Sequence, residues 1–133
     1  MMFASAGYAS AKQHYTTIDL GSKIEGATPH QLIAVLYEEL LKTLDALAVG
    51  LAANGTLSRE GAIKRRSRAN SILQGLEGSL DHAQGGEIAG GLAAIYREAR
   101  RLVGEAVTQS DPKPIIQARE MVAEIADAWA RIG

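Results

Sequence analysis

The chain contains no cysteine among its 133 residues. Disulfides, thiol nucleophiles and thiolate metal sites are therefore excluded together, and nothing points to an oxidising compartment. No apolar run approaches the ~20 residues of a membrane-spanning helix, and no charged-then-apolar leader opens the chain. The expectation is a cytoplasmic protein with no membrane insertion. Aromatic residues make up only 5%, so the core must come from Leu, Ile and Ala, side chains that suit close helix packing. Charge of one sign is also missing: fourteen Lys+Arg against fifteen Asp+Glu leave −1, which provides no global field for nucleic acid.

Features of catalysis are equally sparse. None of His14, His30 or His82 has a glutamate three residues before it, as the Glu-x-x-His sets of di-metal bundles require. Each histidine reads as a surface or capping residue. There is no glycine loop of strand-turn-helix type and no converging carboxylate pair, so neither an enzyme nor a bound cofactor or metal is expected.

What is present is helical throughout. Thr28-Pro29-His30-Gln31 is a helix start: a hydroxyl to cap free N–H groups, proline where its missing N–H costs nothing, and glutamine placed to close a capping box. Ile33, Tyr37, Leu40, Leu44, Leu47 and Leu51 then recur at four-three spacing, the stripe of an amphipathic helix. This helix should end near Ala53, with Asn54-Gly55 supplying left-handed conformations. A second helix, capped by Ser58, is predicted from Arg59 to Leu80 with Ile63, Ala69, Ile72, Leu73, Leu76 and Leu80 on its apolar face. Asp81 to Gly86 reads as a turn. A third helix carries Ile88, Leu92, Ile95, Ala99, Leu102 and Ala106 and should finish near Thr108. Asp111 and Pro112 start a fourth, with Ile115, Ala118, Val122, Ile125, Trp129 and Ile132 in register.

Four amphipathic segments joined by short connections pack most simply as an all-α, antiparallel four-helix bundle over residues 28–133. Residues 1–27, rich in Ala, Ser, Gly and Thr, read either as a flexible N-terminal tail or as a segment that docks intermittently in a groove of the same molecule. Gly75, Gly78, Gly90 and Gly91 fall inside helices, where each costs about 1 kcal/mol relative to alanine. Either two helix backbones approach closely there, or a shallow surface lets another chain pass.

Two surpluses bear on function. Apolar residues outnumber a single core stripe, Leu32, Leu36, Leu41, Leu57, Val103, Ile116 and Met121 among them. An interhelical groove for a partner's amphipathic helix accounts for such an excess, and so does a homodimer. The start of the second helix carries Arg59, Lys64, Arg65, Arg66 and Arg68 against Glu60 alone; five cations and one carboxylate give +4. This is a solvated face, or one that meets a partner's carboxylates.

Two stretches resemble a known family. Ala27-Thr28-Pro29-His30-Gln31-Leu32-Ile33-Ala34-Val35-Leu36-Tyr37 is similar to its A-S-P-x-x-L-I-x-x-L-Y segment. The stretch from Ser79-Leu80-Asp81 through Gly85-Gly86-Glu87-Ile88-Ala89 to Tyr96 is similar to its S-L-D-x-x-x-G-G-E-I-A-x-x-L-x-x-L-Y segment. Trp129 stands where the family has a tryptophan near the end of its last helix. The family is that of the bacterial flagellar secretion chaperones. Glu38-Glu39 replaces its usual Asp-Gly, and Gly91 its common asparagine.

The resemblance implies a cytoplasmic chaperone that binds the C-terminal, polymerising region of flagellin, prevents premature assembly and keeps the client fit for the export apparatus. It implies a tail tyrosine lying over the client surface, a role that Tyr15 matches. Client contact is then expected from Leu32, Leu36, Leu57, Ile72, Val103 and Ile116, and acidic partners, in the client or the export apparatus, are expected to meet Arg65, Arg66 and Arg68. The free chain is expected as a monomer or weak homodimer. The alternative is a homodimeric structural or adaptor bundle with no flagellin client.

Overall fold

The computed structural model describes residues 25–132, and within them the chain forms four helices and no strand. The helices are α1 (Pro29–Leu51), α2 (Arg59–Gly78), α3 (His82–Gln109) and α4 (Lys113–Ile132). Each start is fixed locally. The Thr28 hydroxyl accepts from the Gln31 N–H at 3.1 Å while Gln31 Oε1 accepts from the Thr28 N–H at 3.0 Å, a complete capping box. Ser58 Oγ accepts from the Gly61 N–H, Asp81 from Gln84, and Asp111 from Lys113, each at 3.0 Å. The fourth helix begins at Lys113, one residue later than its proline suggested.

Contacts across the bundle set its topology. His30 meets Trp129 and Asp45 meets Arg119, so α1 and α4 run antiparallel. Glu39 with Arg68 joins α1 to α2, and Glu77 with Arg97 and Arg100 joins α2 to α3. Each helix packs against its two neighbours in chain order, and α4 closes on α1. The result is the expected antiparallel four-helix bundle.

Two connections differ from their sequence reading. Asn54 and Gly55 adopt no left-handed backbone; among described residues the positive φ values belong to Gly26, Gly86 and Ser110. Gly55 is needed for space instead, since a β-carbon there would stand 2.3 Å from the Gly50 carbonyl oxygen. The Asp81–Gly86 stretch is not a plain turn either. Helical structure begins at His82 and breaks at Gly86, whose φ of 51° and ψ of −125° suit only glycine. Gly90 and Gly91 face open space, so close helix approach does not explain that pair.

The core is one cluster drawn from all four helices, with Leu36, Leu40, Leu44, Leu47, Ile72, Leu76 and Ile115 sealed from solvent. Because every helix faces two neighbours, it buries an arc wider than one stripe. That width overturns part of the surplus. Leu32 (1% exposed), Leu36 and Val103 are core residues, not the spare apolar surface they were expected to be, and Ile72, expected to contact the client, is sealed in the core as well. Conversely, Ile63, Ile88 and Ile132, assigned to the stripes, stand 48%, 66% and 64% exposed.

Candidate functional site

At one end of the bundle, the first turns of α3 beyond Gly86 and the last turns of α4 leave a groove of about 250 Å³. Ile88 and Leu92 form one wall and Ile125, Trp129 and Ile132 the other, with Tyr37 of α1 contributing to the lining. Glu124 is the sole charged residue in that lining. An apolar furrow with a single carboxylate suits the apolar face of a helix, not polar chemistry.

Beneath the groove the two motif tyrosines meet. The Tyr37 and Tyr96 hydroxyls lie 2.6 Å apart and both rings are buried. Burial pushes the Tyr37 phenol up to about 12, an effect only partly relieved by its bond to Tyr96. Burial raises the Tyr96 phenol too, reinforced by the neighbouring Tyr37 hydroxyl. Such groups are structural, with no proton to exchange near neutral pH.

Tyr37→Phe should cost about 1–3 kcal/mol, because Tyr96 would keep a buried hydroxyl without its partner, and Tyr37→Phe with Tyr96→Phe should recover most of it. The pair also sets an alkaline limit. A folded pKa above the unfolded value of 10.0 means that this stability is complete below pH 10 and declines as pH rises towards about 12. Denaturant unfolding followed by circular dichroism across that range should show the decline in the parent chain and a flatter profile in the double phenylalanine variant.

The outer wall is held by a reciprocal clamp. His30 stacks on Trp129 with ring centroids 4.6 Å apart. His30 Nε2 bonds the Trp129 carbonyl at 3.0 Å, and Trp129 Nε1 donates to the His30 carbonyl at 3.0 Å. His30 is thus no mere capping residue. This contact was missed because its partners stand 99 positions apart; the only local signals were the helix-start position of one and the stripe position of the other.

The remaining sequence candidates are scattered. Tyr15 lies outside the described residues. Leu57 is half-buried beside a second hollow of about 700 Å³ between the end of α1 and the start of α2, which Arg65 also lines. Ile116 stands 47% exposed on α4. Arg66 lies along α3, 3.4 Å from where a Gly104 β-carbon would stand. Arg68 is already engaged, 3.4 Å from the buried carboxylate of Glu39. Glu39 also has Lys42 at 3.8 Å, so a carboxylate replacing the family's usual glycine is neutralised across the α1–α2 seam. On α2 and α3, burial raises the Glu77 carboxyl, but hydrogen bonds and charge from Arg100 and Arg97 outweigh it and hold Glu77 below its ordinary value.

Among the described residues no group of His, Asp and Glu is arranged to hold a metal, and no helix is long and apolar enough to cross a membrane. The family model described as flagellar protein FliS matches residues 11–133. Flagellar secretion chaperone FliS of Salmonella typhimurium is 29% identical over 124 residues, covering 93% of this chain and 90% of its own. Flagellar secretion chaperone FliSB of Pseudomonas aeruginosa is 28% identical over 119 residues, covering 90% and 92%. The Vibrio cholerae FliS is 27% identical over 122 residues, 90% and 86% of the two chains. With the match running through all four helices and both tyrosine-ended motifs, the chain belongs to the FliS family of flagellar proteins.

Proposed function

We propose that this protein is a flagellar secretion chaperone that holds the C-terminal polymerisation region of flagellin in the cytoplasm until export. The observation that carries the reading is the apolar groove between the start of α3 and the end of α4, with Ile88 and Ile132 exposed in a member of this family. A client segment that is poorly ordered when free must recover its ordering cost by burying apolar faces, and a groove of this lining supports that exchange while leaving it reversible. No bond is made or broken. Of the contacts expected from sequence, Ile116 is exposed and Leu57 and Arg65 line the second hollow; these remain in the proposal, as does Tyr15, and the groove residues join them.

The chain's one tryptophan lines the groove, so occupancy should be read directly. Mixed with flagellin, the protein should elute as a 1:1 complex with altered Trp129 emission, and flagellin truncated at its C-terminus should give neither change. Equal capture of the truncated client would overturn the docking segment. Self-association that changes Trp129 emission without any client would favour the homodimeric reading.

A further inference from the structure

The start of α2 carries a second surface, far from the groove. Among the described ion pairs Arg68 is bound to Glu39, while none engages Arg59, Lys64, Arg65 or Arg66. Arg59, Ile63 and Arg66 follow one another at spacings of four and three, which stacks them in a single ridge of the helix. Arg66 against Gly104 locates that ridge along the α2–α3 seam. Ile63, which stands between the two arginines along this ridge, is 48% exposed.

Apart from the packing of Arg66 against α3 at Gly104, neither feature favours the bundle by itself. Cations in the first turns of a helix oppose its dipole, and Glu60 is the one acidic residue there to offset them. An isoleucine at that exposure leaves apolar area in water. Together they match one kind of ligand: a helical segment with two carboxylates about seven residues apart and an apolar side chain between them. Arginine forks hold carboxylates through paired hydrogen bonds, and the isoleucine packs the centre.

We propose that the Arg59–Ile63–Arg66 ridge docks an acidic amphipathic segment of a second protein while the groove at the other end of the bundle holds its client. The 20 residues of α2 run about 30 Å, enough for two chains to bind without overlap. Recognition of the acidic segment stands whether or not the groove takes flagellin; only the joint occupancy rests on the function proposed above.

The test uses the full chain and a labelled helical peptide with two glutamates seven positions apart flanking a leucine, titrated by fluorescence anisotropy at low and high salt. Saturable binding should weaken about tenfold in Arg59→Gln with Arg66→Gln and about threefold in Ile63→Ser, and should fall as salt rises. Lys64→Gln with Lys113→Gln removes the same charge from exposed positions outside the ridge and should leave affinity unchanged; circular dichroism verifies folding of each variant. Equal loss in both double variants, or equal binding of a peptide with scrambled order, would reduce the effect to bulk charge and overturn the ridge. A saturating flagellin C-terminal peptide should not displace the probe; displacement would return the ridge to the client and overturn the second partner.

Discussion

Replacing Ile88 and Ile132 together by aspartate should weaken flagellin capture by about 100-fold while leaving the far-ultraviolet circular dichroism of the bundle unchanged. Both side chains are about two-thirds exposed at the rim of the groove, 66% and 64%, so the free protein loses little packing when they change. The complex loses much more. Each isoleucine would forfeit up to about 1.5 kcal/mol of apolar burial, and each new carboxylate would need to be stripped of water beneath an apolar client face. A total near 3 kcal/mol corresponds to the stated factor. Isothermal titration with a flagellin C-terminal peptide measures it directly, and unchanged affinity would move the client off this groove.

Leu36→Ala should have the opposite profile: a stability loss of about 2–5 kcal/mol, with a melting temperature lower by roughly 10 °C, and little change in client affinity per folded molecule. Leu36 is fully enclosed in the shared core, so truncation leaves a cavity that the surrounding side chains can only partly fill. Ile116→Ala, at a site 47% exposed, should stay within about 0.5 kcal/mol of the parent. Thermal melts of the two variants, with client titration below the transition, separate a residue that builds the bundle from one available to a partner. A Leu36 variant that bound poorly yet melted normally would restore the sequence-based assignment.

These two predictions also mark how far the sequence was legible. Helix starts were readable because caps are local chemistry: Thr28, Ser58 and Asp111 accept the N–H bonds their positions promised, whereas Asp81, read as part of a turn, proved to cap a helix as well. The four stripes and short connections sufficed for the architecture. The burial of individual stripe members did not follow, for two physical reasons. A helix in a closed square contacts two neighbours, so Leu32 and Leu36, one step off the stripe, are as buried as Ile33. Periodicity also has no knowledge of where the opposing helix stops, and Ile63, Ile88 and Ile132 all lie near helix ends, where a stripe position is less covered by the described helices.

The site was legible in chemistry but not in place. Spare apolar surface and a cationic helix start were both present in the residues, yet the groove formed from Ile88, Trp129 and Ile132 in place of Leu36 and Val103. Arg68 illustrates the same limit: its charge was visible, but its engagement with Glu39 depends on how α1 and α2 align along their shared seam. The two motif tyrosines were visible as equivalent endings of separate segments, and only folding showed that their hydroxyls face each other.

Because the groove takes residues from α1, α3 and α4, neither the first two helices nor the first three can assemble it. During synthesis the earlier helices emerge first, and the furrow exists only after α4 has docked and Trp129 has closed on His30. A half-made molecule therefore presents no finished receptor. On the function proposed above, competence to accept cargo is then a property of the completed fold, which ties client loading to the quality of the carrier itself.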